Sequence, residues 1–239
     1  KESSAASDVY KRQNLWYEDR FFVKNNNLVC ESEKNATSQK IISLFNHLSK
    51  THKLANLLGN KFETRLNFKK DWGLGTSSTF VNNLAKWAKV DPYQLLFSTF
   101  KGSGYDIACC DLNHPIIFKK TSESIDVKKI KFKPPFIKNL FLIHLGKKQN
   151  TQLSIENYSK KQFDRMELIK KINTITDEFI KCNELIHFEE LIQEHESIIS
   201  KATSITPIQN SNFSDYKDGK IKSLGAWGGD FLSLIHISE

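Results

Sequence analysis

Between Phe62 and Trp87 the apolar residues change their spacing from every second position to every third or fourth, and the change falls on a pair of glycines. In FETRLNF, Phe62, Thr64, Leu66 and Phe68 share one side, and Glu63, Arg65 and Asn67 share the other. That alternation predicts a half-buried strand. From Ser77 to Ala88 the spacing predicts a helix. The turn between them, DWGLGTSS, sets bare backbone and three hydroxyls at the helix mouth. The first N–H groups of a helix have no partner within it and carry partial positive charge, so such a mouth suits an anion. It is not the G-x-x-x-x-G-K-[ST] loop of the common nucleotide-binding fold, because no lysine follows Gly75. A strand, a tight turn and a helix in one unbroken stretch restrict the chain to folds that mix both kinds of element.

The rest of the chain mixes them as well. RFFVKNNNLVCES is predicted to be a hairpin turned by its asparagines. Ala36 to about Leu58 has helical spacing through Ile41, Ile42, Leu44, Phe45 and Leu48. Asp91-Pro92 supplies a cap and a first-turn proline for a short helix. His114–Phe118 and LFLIHLG read as strands, the second as a buried one, with KFKPPFIKN as a connector. Two long helices are expected at Asn157–Cys182 and from Glu184 to about Ala202. In the first, Phe163, Met166, Ile169, Ile172, Ile175 and Phe179 recur every three or four residues. TPIQNSNFSDYKDGK is loop-rich and leads into IKSLGAWGGDF, and no internal repeat occurs. The fold class is α+β.

No apolar run is long enough to span a bilayer, and 39% apolar with 26% charged residues is a globular balance. The 239 residues suffice for one or two domains with a core. A net charge of +8 would suit nucleic acid, a membrane surface or phosphorylated ligands. The basic residues are nevertheless scattered, with only short pairs such as Lys128-Lys129 and Lys147-Lys148, so a solvated, mildly basic surface is expected. Cys30, Cys109, Cys110 and Cys182 form no C-x-x-C pair and no zinc spacing, and the histidines show no ligand pattern. With no signal peptide visible, a cytoplasmic location is expected. Residues 1–13 and 232–239 are expected to be foreign, because Ser3–Gln13 and Leu232–Glu239 look like translated ends of a sequencing adapter. Such segments do not inform the fold class.

Three polar, glycine-rich stretches stand apart: Gly73 to Thr79 in GLGTSST, Gly102 to Asp106 in GSGYDIA, and Gly225 to Asp230 in KSLGAWGGD. In this order and at these intervals they resemble the GHMP kinases, the family of galactokinase, homoserine kinase, mevalonate kinase and phosphomevalonate kinase. The first resembles that family's phosphate loop, G-L-G-S-S-A. The second resembles the loop bearing the catalytic aspartate of mevalonate and phosphomevalonate kinases. The third is similar to the K-x-S-G-A-G-G-G-D form of phosphomevalonate kinases. The resemblance spans about Phe62 to Phe231 and includes the helix pair before the third stretch. It implies a two-domain GHMP kinase fold, incomplete at both ends. Residues 14–135 would form an N-terminal ATP-binding domain related to a ribosomal-protein fold, and residues 136–231 a ferredoxin-like C-terminal domain. It also implies an enzyme that transfers the γ-phosphoryl group of ATP, with Mg²⁺, to phosphomevalonate or mevalonate.

By the same resemblance, Gly73, Leu74, Gly75, Thr76, Ser77 and Ser78 would wrap the ATP phosphates, with Thr76 or Ser77 offering a hydroxyl to Mg²⁺. Gly225, Ala226, Gly228 and Gly229 would form a second wall of that site. Asp106 would accept the proton of the substrate hydroxyl, and Lys101 would steady the transferring group. Lys148, Asn150, Thr151, Trp227 and Asp230 would face the substrate. Two positions depart from the family. Trp227 stands where glycine is usual, and YQLLFSTFKG lacks the glutamate with which mevalonate kinases help hold Mg²⁺, which favours phosphomevalonate. The family's first motif and final strands are missing, so this chain is expected to be inactive and marginally stable, with open strand edges. Its partner would be a small-molecule substrate, with no nucleic acid and no membrane; the oligomeric state is left open. The competing expectation is a basic, non-catalytic RNA-binding or nucleotide-binding module, supported by the aromatic–lysine interleaving of KFKPPFIK.

Overall fold

Asn25 takes a positive φ of 50°, and there the chain reverses between β1 (Phe21–Lys24) and β2 (Asn27–Cys30). The pairing is antiparallel, with Lys24 opposite Asn27, as expected of an asparagine turn. These strands belong to a computed structural model that describes residues 15–25, 27–51, 59–69, 72–146, 164–225 and 231–235. The architecture is α+β. Among the described residues contacts define two units, one holding those up to Lys69 together with Gly75–Ile130, the other holding Trp72, Gly73 and Leu74 and those from Lys131 onward.

In the first unit the hairpin leads into α1 (Ala36–Thr51). The Asn35 carboxamide caps it, accepting from the Thr37 and Ser38 N–H groups, while the Ser38 hydroxyl accepts from Asn35 N. This reciprocal arrangement fixes where the helix starts. Its Leu44, Phe45 and Leu48 pack into a core with Val81, Leu84, Ala85 and Ala88 of α2 (Thr76–Ala88) and Leu95 and Leu96 of α3 (Pro92–Thr99). Asp91 caps α3 as expected, accepting from Gln94 N at 2.7 Å. A five-residue helix, α4 (Tyr105–Cys109), adds Ile107 to the same core. A second hairpin, β3 (Ile116–Lys120) with β4 (Ile125–Lys129), closes the unit; the sequence reading had placed the first strand two residues earlier and missed the second.

The strand expected at residues 62–68 is not there: that stretch pairs with no other strand among the described residues. Alternation fixes which side chains share a face, but a strand also needs a neighbour for its backbone groups. Phe62 instead packs edge-on against Phe45 and Trp87, with ring centroids 5.4 and 4.8 Å apart.

The second unit is built on an antiparallel sheet of order β5 (Leu140–His144), β7 (Phe231–Ile235), β6 (Ile221–Leu224). Two long helices, α5 (Arg165–Lys181) and α6 (Leu185–Thr203), and a short α7 (Ile208–Asn212) accompany it. The core gathers Phe136, Ile175, Cys182, Phe188, Leu191, Ile192 and Ile235. Phe188 is its hub, with ring centroids 4.8 Å from Phe179 and 5.0 Å from Phe136.

Two expectations need correction here. LFLIHLG was read as a buried strand, yet β5 lies at the sheet edge with Phe141, Leu142 and Ile143 exposed. An apolar run cannot say where in the strand order it will fall. On α5 the stripe buries Ile175 and half-buries Phe179, whereas Met166 and Ile169 are exposed, so only the C-terminal half packs. Leu232 and Ile235 are fully buried in the middle strand. Residues 1–13 and 236–239 lie outside the described residues.

A buried polar cluster joins α6 to β6. Lys222 Nζ donates to Glu196 Oε1 at 3.1 Å and lies 2.9 Å from His195 Nδ1, and the Ser223 hydroxyl donates to Glu196 Oε2 at 3.1 Å.

Candidate functional site

Two left-handed glycines make the site possible. Gly75 is the N-cap of α2 with φ 69°, and no side chain caps that helix. Its first intrahelical bond runs from Thr79 N to Gly75 O at 3.0 Å, so the amides of Thr76, Ser77 and Ser78 precede it and are unused by the helix. Ser78 is buried, Thr76 half-buried and Ser77 exposed, and the Thr76 and Ser77 hydroxyls make no hydrogen bond among the described residues. The expected phosphate-loop residues from Gly75 to Ser78 therefore form a bare, electropositive helix mouth. Gly73, with φ 70°, and Leu74 group with the second unit.

The other glycine is Gly104, N-cap of α4, with φ 87°. A Cβ there would lie 3.1 Å from Phe97 and 3.2 Å from Tyr93, so both the backbone and the surroundings exclude a side chain. This tight corner starts α4 with Asp106 in its first turn. The carboxylate comes to rest against Gly75: a Cβ built on that glycine would be 3.8 Å from Cβ, Cγ and Oδ1 of Asp106. Two residues 31 positions apart, singled out by separate motifs, are thus neighbours.

Burial pushes the Asp106 carboxyl above the usual carboxylate range, opposed by a hydrogen bond from the Tyr105 hydroxyl. Tyr105 is pushed up to about 12, by burial first and by the Asp106 charge second. Burial likewise raises the thiols of Cys109 and Cys110, so neither is an activated nucleophile. Lys101 is exposed and makes no ion pair among the described residues. A lysine that sequence reasoning passed over, Lys120, reaches back from β3: Nζ donates to Gly102 O at 3.2 Å and sits 3.8 Å from the Phe97 ring centroid. No local spacing signals that contact, because it depends on how β3 docks.

In the second unit the residues flanking two of the motifs meet. Trp72, just before Gly73, has its ring centroid 6.4 Å from that of Phe231, just after Asp230, and 5.9 Å from that of His144. Gly225 takes a φ of 82° at the end of β6. Ala226, Trp227, Gly228, Gly229 and Asp230 lie outside the described residues, as do Lys148, Asn150 and Thr151. Among the described residues no group of three or more His, Cys, Asp or Glu is placed to hold a metal ion. No helix among them is long and apolar enough to cross a membrane.

No protein-family model matches the chain, and neither a curated protein nor a solved structure matches it.

Proposed function

We propose that the chain carries the nucleotide-facing part of an ATP- and Mg²⁺-dependent small-molecule kinase of the GHMP class, acting in the cytoplasm on a mevalonate-pathway acceptor, phosphomevalonate before mevalonate. The proposal includes that class's two-domain fold. The single observation that carries it is the seat of Asp106 against Gly75. The partial positive charge of the helix mouth favours a carboxylate beside it, and with phosphate bound at the same mouth that carboxylate is placed to take a proton from an acceptor hydroxyl.

In this reading ATP supplies the phosphoryl group, and the protein supplies position and charge. The amides of Thr76, Ser77 and Ser78 hold phosphate oxygens at the helix mouth. Glycine at 75 supports the left-handed turn that opens the helix beside Asp106. Asp106 takes the acceptor's proton, and its raised proton affinity makes it a stronger base than an exposed aspartate. Lys101, exposed and without an ion pair among the described residues, neutralises charge on the transferring group. Magnesium held mainly by nucleotide phosphates and water needs only one or two protein oxygens, which the Thr76 and Ser77 hydroxyls can provide.

The test uses this chain and longer forms of its coding sequence, assayed for phosphorylated product from phosphomevalonate, mevalonate and homoserine. Asp106→Asn is expected to abolish turnover while MgATP still protects the protein against thermal unfolding. Undiminished turnover in that variant would remove Asp106 from the mechanism. Absence of ATP protection, with salt-dependent RNA binding, would favour the binding-module alternative.

A further inference from the structure

Asp106 is carried on a helix of five residues, too short to hold an orientation by itself. Contacts between α2 with its N-cap and α4 with the two residues that follow it run in step. On α2 they start from Gly75, Thr79, Asn82 and Lys86, spaced four, three and four residues apart and therefore on one face. On the other side they end on Asp106, Cys110 and Asp111. Asp106 lies over Gly75. The Cys110 thiol lies 3.9 Å from the Thr79 hydroxyl. Asn82 Nδ2 donates to both carboxylate oxygens of Asp111 at 3.2 Å, and Lys86 forms an ion pair with Asp111 Oδ1.

These rungs differ in what they fix. The contact at Gly75 is an approach without a bond, and the sulfur contact is weak. Ile107, buried in the core, sets how deep α4 sits, but apolar packing is not directional and leaves the helix free to roll. Asn82 is only 3% exposed, and a buried carboxamide must find acceptors. Asp111 provides two, and the Lys86 ammonium closes the fork. Hydrogen bonds with Asn82 define the roll of α4 because they need both distance and angle.

We propose that Asp111 is a positioning residue: its fork onto Asn82 and Lys86 fixes the roll of α4 and so holds the Asp106 carboxylate against Gly75. The functional meaning rests on Asp106 being the base, as read above; the geometric claim does not.

The test is the titration of the Asp106 carboxyl carbon, followed by NMR in the intact chain. In wild type its midpoint is expected above the usual carboxylate range, since burial raises it. In Asp111→Ala the midpoint is expected to fall toward that range as α4 rolls and the carboxylate meets water. Asn82→Leu/Asp111→Ala removes donor and acceptor together, which is close to neutral for folding, and is expected to show the same fall in a protein with a cooperative melt. In active protein, kcat is expected to drop by about 10²-fold with the KM for ATP unchanged, the scale of a misplaced catalytic group. An unaltered Asp106 midpoint in both variants overturns the positioning role. If Asp106→Asn keeps full turnover while the midpoint still falls in Asp111→Ala, the base reading fails and the fork stands.

Discussion

Lys222 and Glu196 form an ion pair 3.1 Å across whose carboxylate is 7% exposed. Burial lowers the Lys222 ammonium even though Glu196 pulls it up, so desolvation governs the lysine. At Glu196 burial acts to raise the carboxyl, but the His195 ring, Lys222 and Ser223 together hold it below the usual range. Lys222→Met leaves a buried carboxylate without its cation and is expected to lower stability by about 3 kcal/mol. Lys222→Met/Glu196→Leu should lose less than that single change, as measured by urea unfolding. Strictly additive losses would mean the pair is not coupled.

The Glu196 contribution also has a pH signature. Its folded pKa is depressed, so its stabilisation is present above the unfolded value of about 4.3 and is lost as pH falls through the folded value. Melts from pH 7 down to pH 3 should therefore show Glu196→Gln converging on wild type at the acid end.

Asp106 has the opposite sign. Its folded pKa is raised, so the carboxyl favours the native state at acid pH, and that advantage is lost as pH rises through the folded value. Asp106→Asn is expected to be more stable than wild type at pH 7 and not at pH 4, by thermal melting. A variant less stable at pH 7 would mean the carboxylate is well solvated or satisfied.

Gly75 and Gly104 separate two sources of glycine requirement. Alanine at Gly75 meets ordinary contacts at 3.8 Å, so its penalty is the left-handed backbone, about 1 kcal/mol. Alanine at Gly104 adds 3.1–3.3 Å contacts with Phe97 and Tyr93 to the same strain. Gly104→Ala is expected to lose about 3 kcal/mol, adding the penalty of overpacking. Equal losses in urea unfolding would show that the aromatic pair gives way.

On β5, Leu142 is 71% exposed at a sheet edge. Leu142→Lys should change stability by less than about 0.5 kcal/mol while reducing self-association seen by light scattering, since a charge on an edge strand opposes pairing with another chain. Unchanged scattering would place the sticky surface elsewhere.

What the sequence disclosed was chiefly local. Asn25, Asp91-Pro92 and Gly75 each fix a turn or helix start through their own backbone or side chain, and each element they predict is present. Strand partners were not local. Residues 62–68 alternate without a ladder, and LFLIH is as apolar as a central strand yet lies at the edge, because sheet order is decided by pairing between residues 87 to 95 positions apart. Asp106 and Gly75 could be nominated together only through their motifs. Asp111 and Asn82 left no such trace, because neither lies in a motif and their fork exists only once α4 lies along α2.

The middle place in the second unit's sheet is taken by FLSLI, which pairs on both sides and turns Leu232 and Ile235 to opposite faces. That slot is a socket keyed to hydrogen-bond geometry and to greasy side chains above and below. It also fixes phase: slipping FLSLI by one residue would exchange the faces to which Leu232 and Ile235 turn.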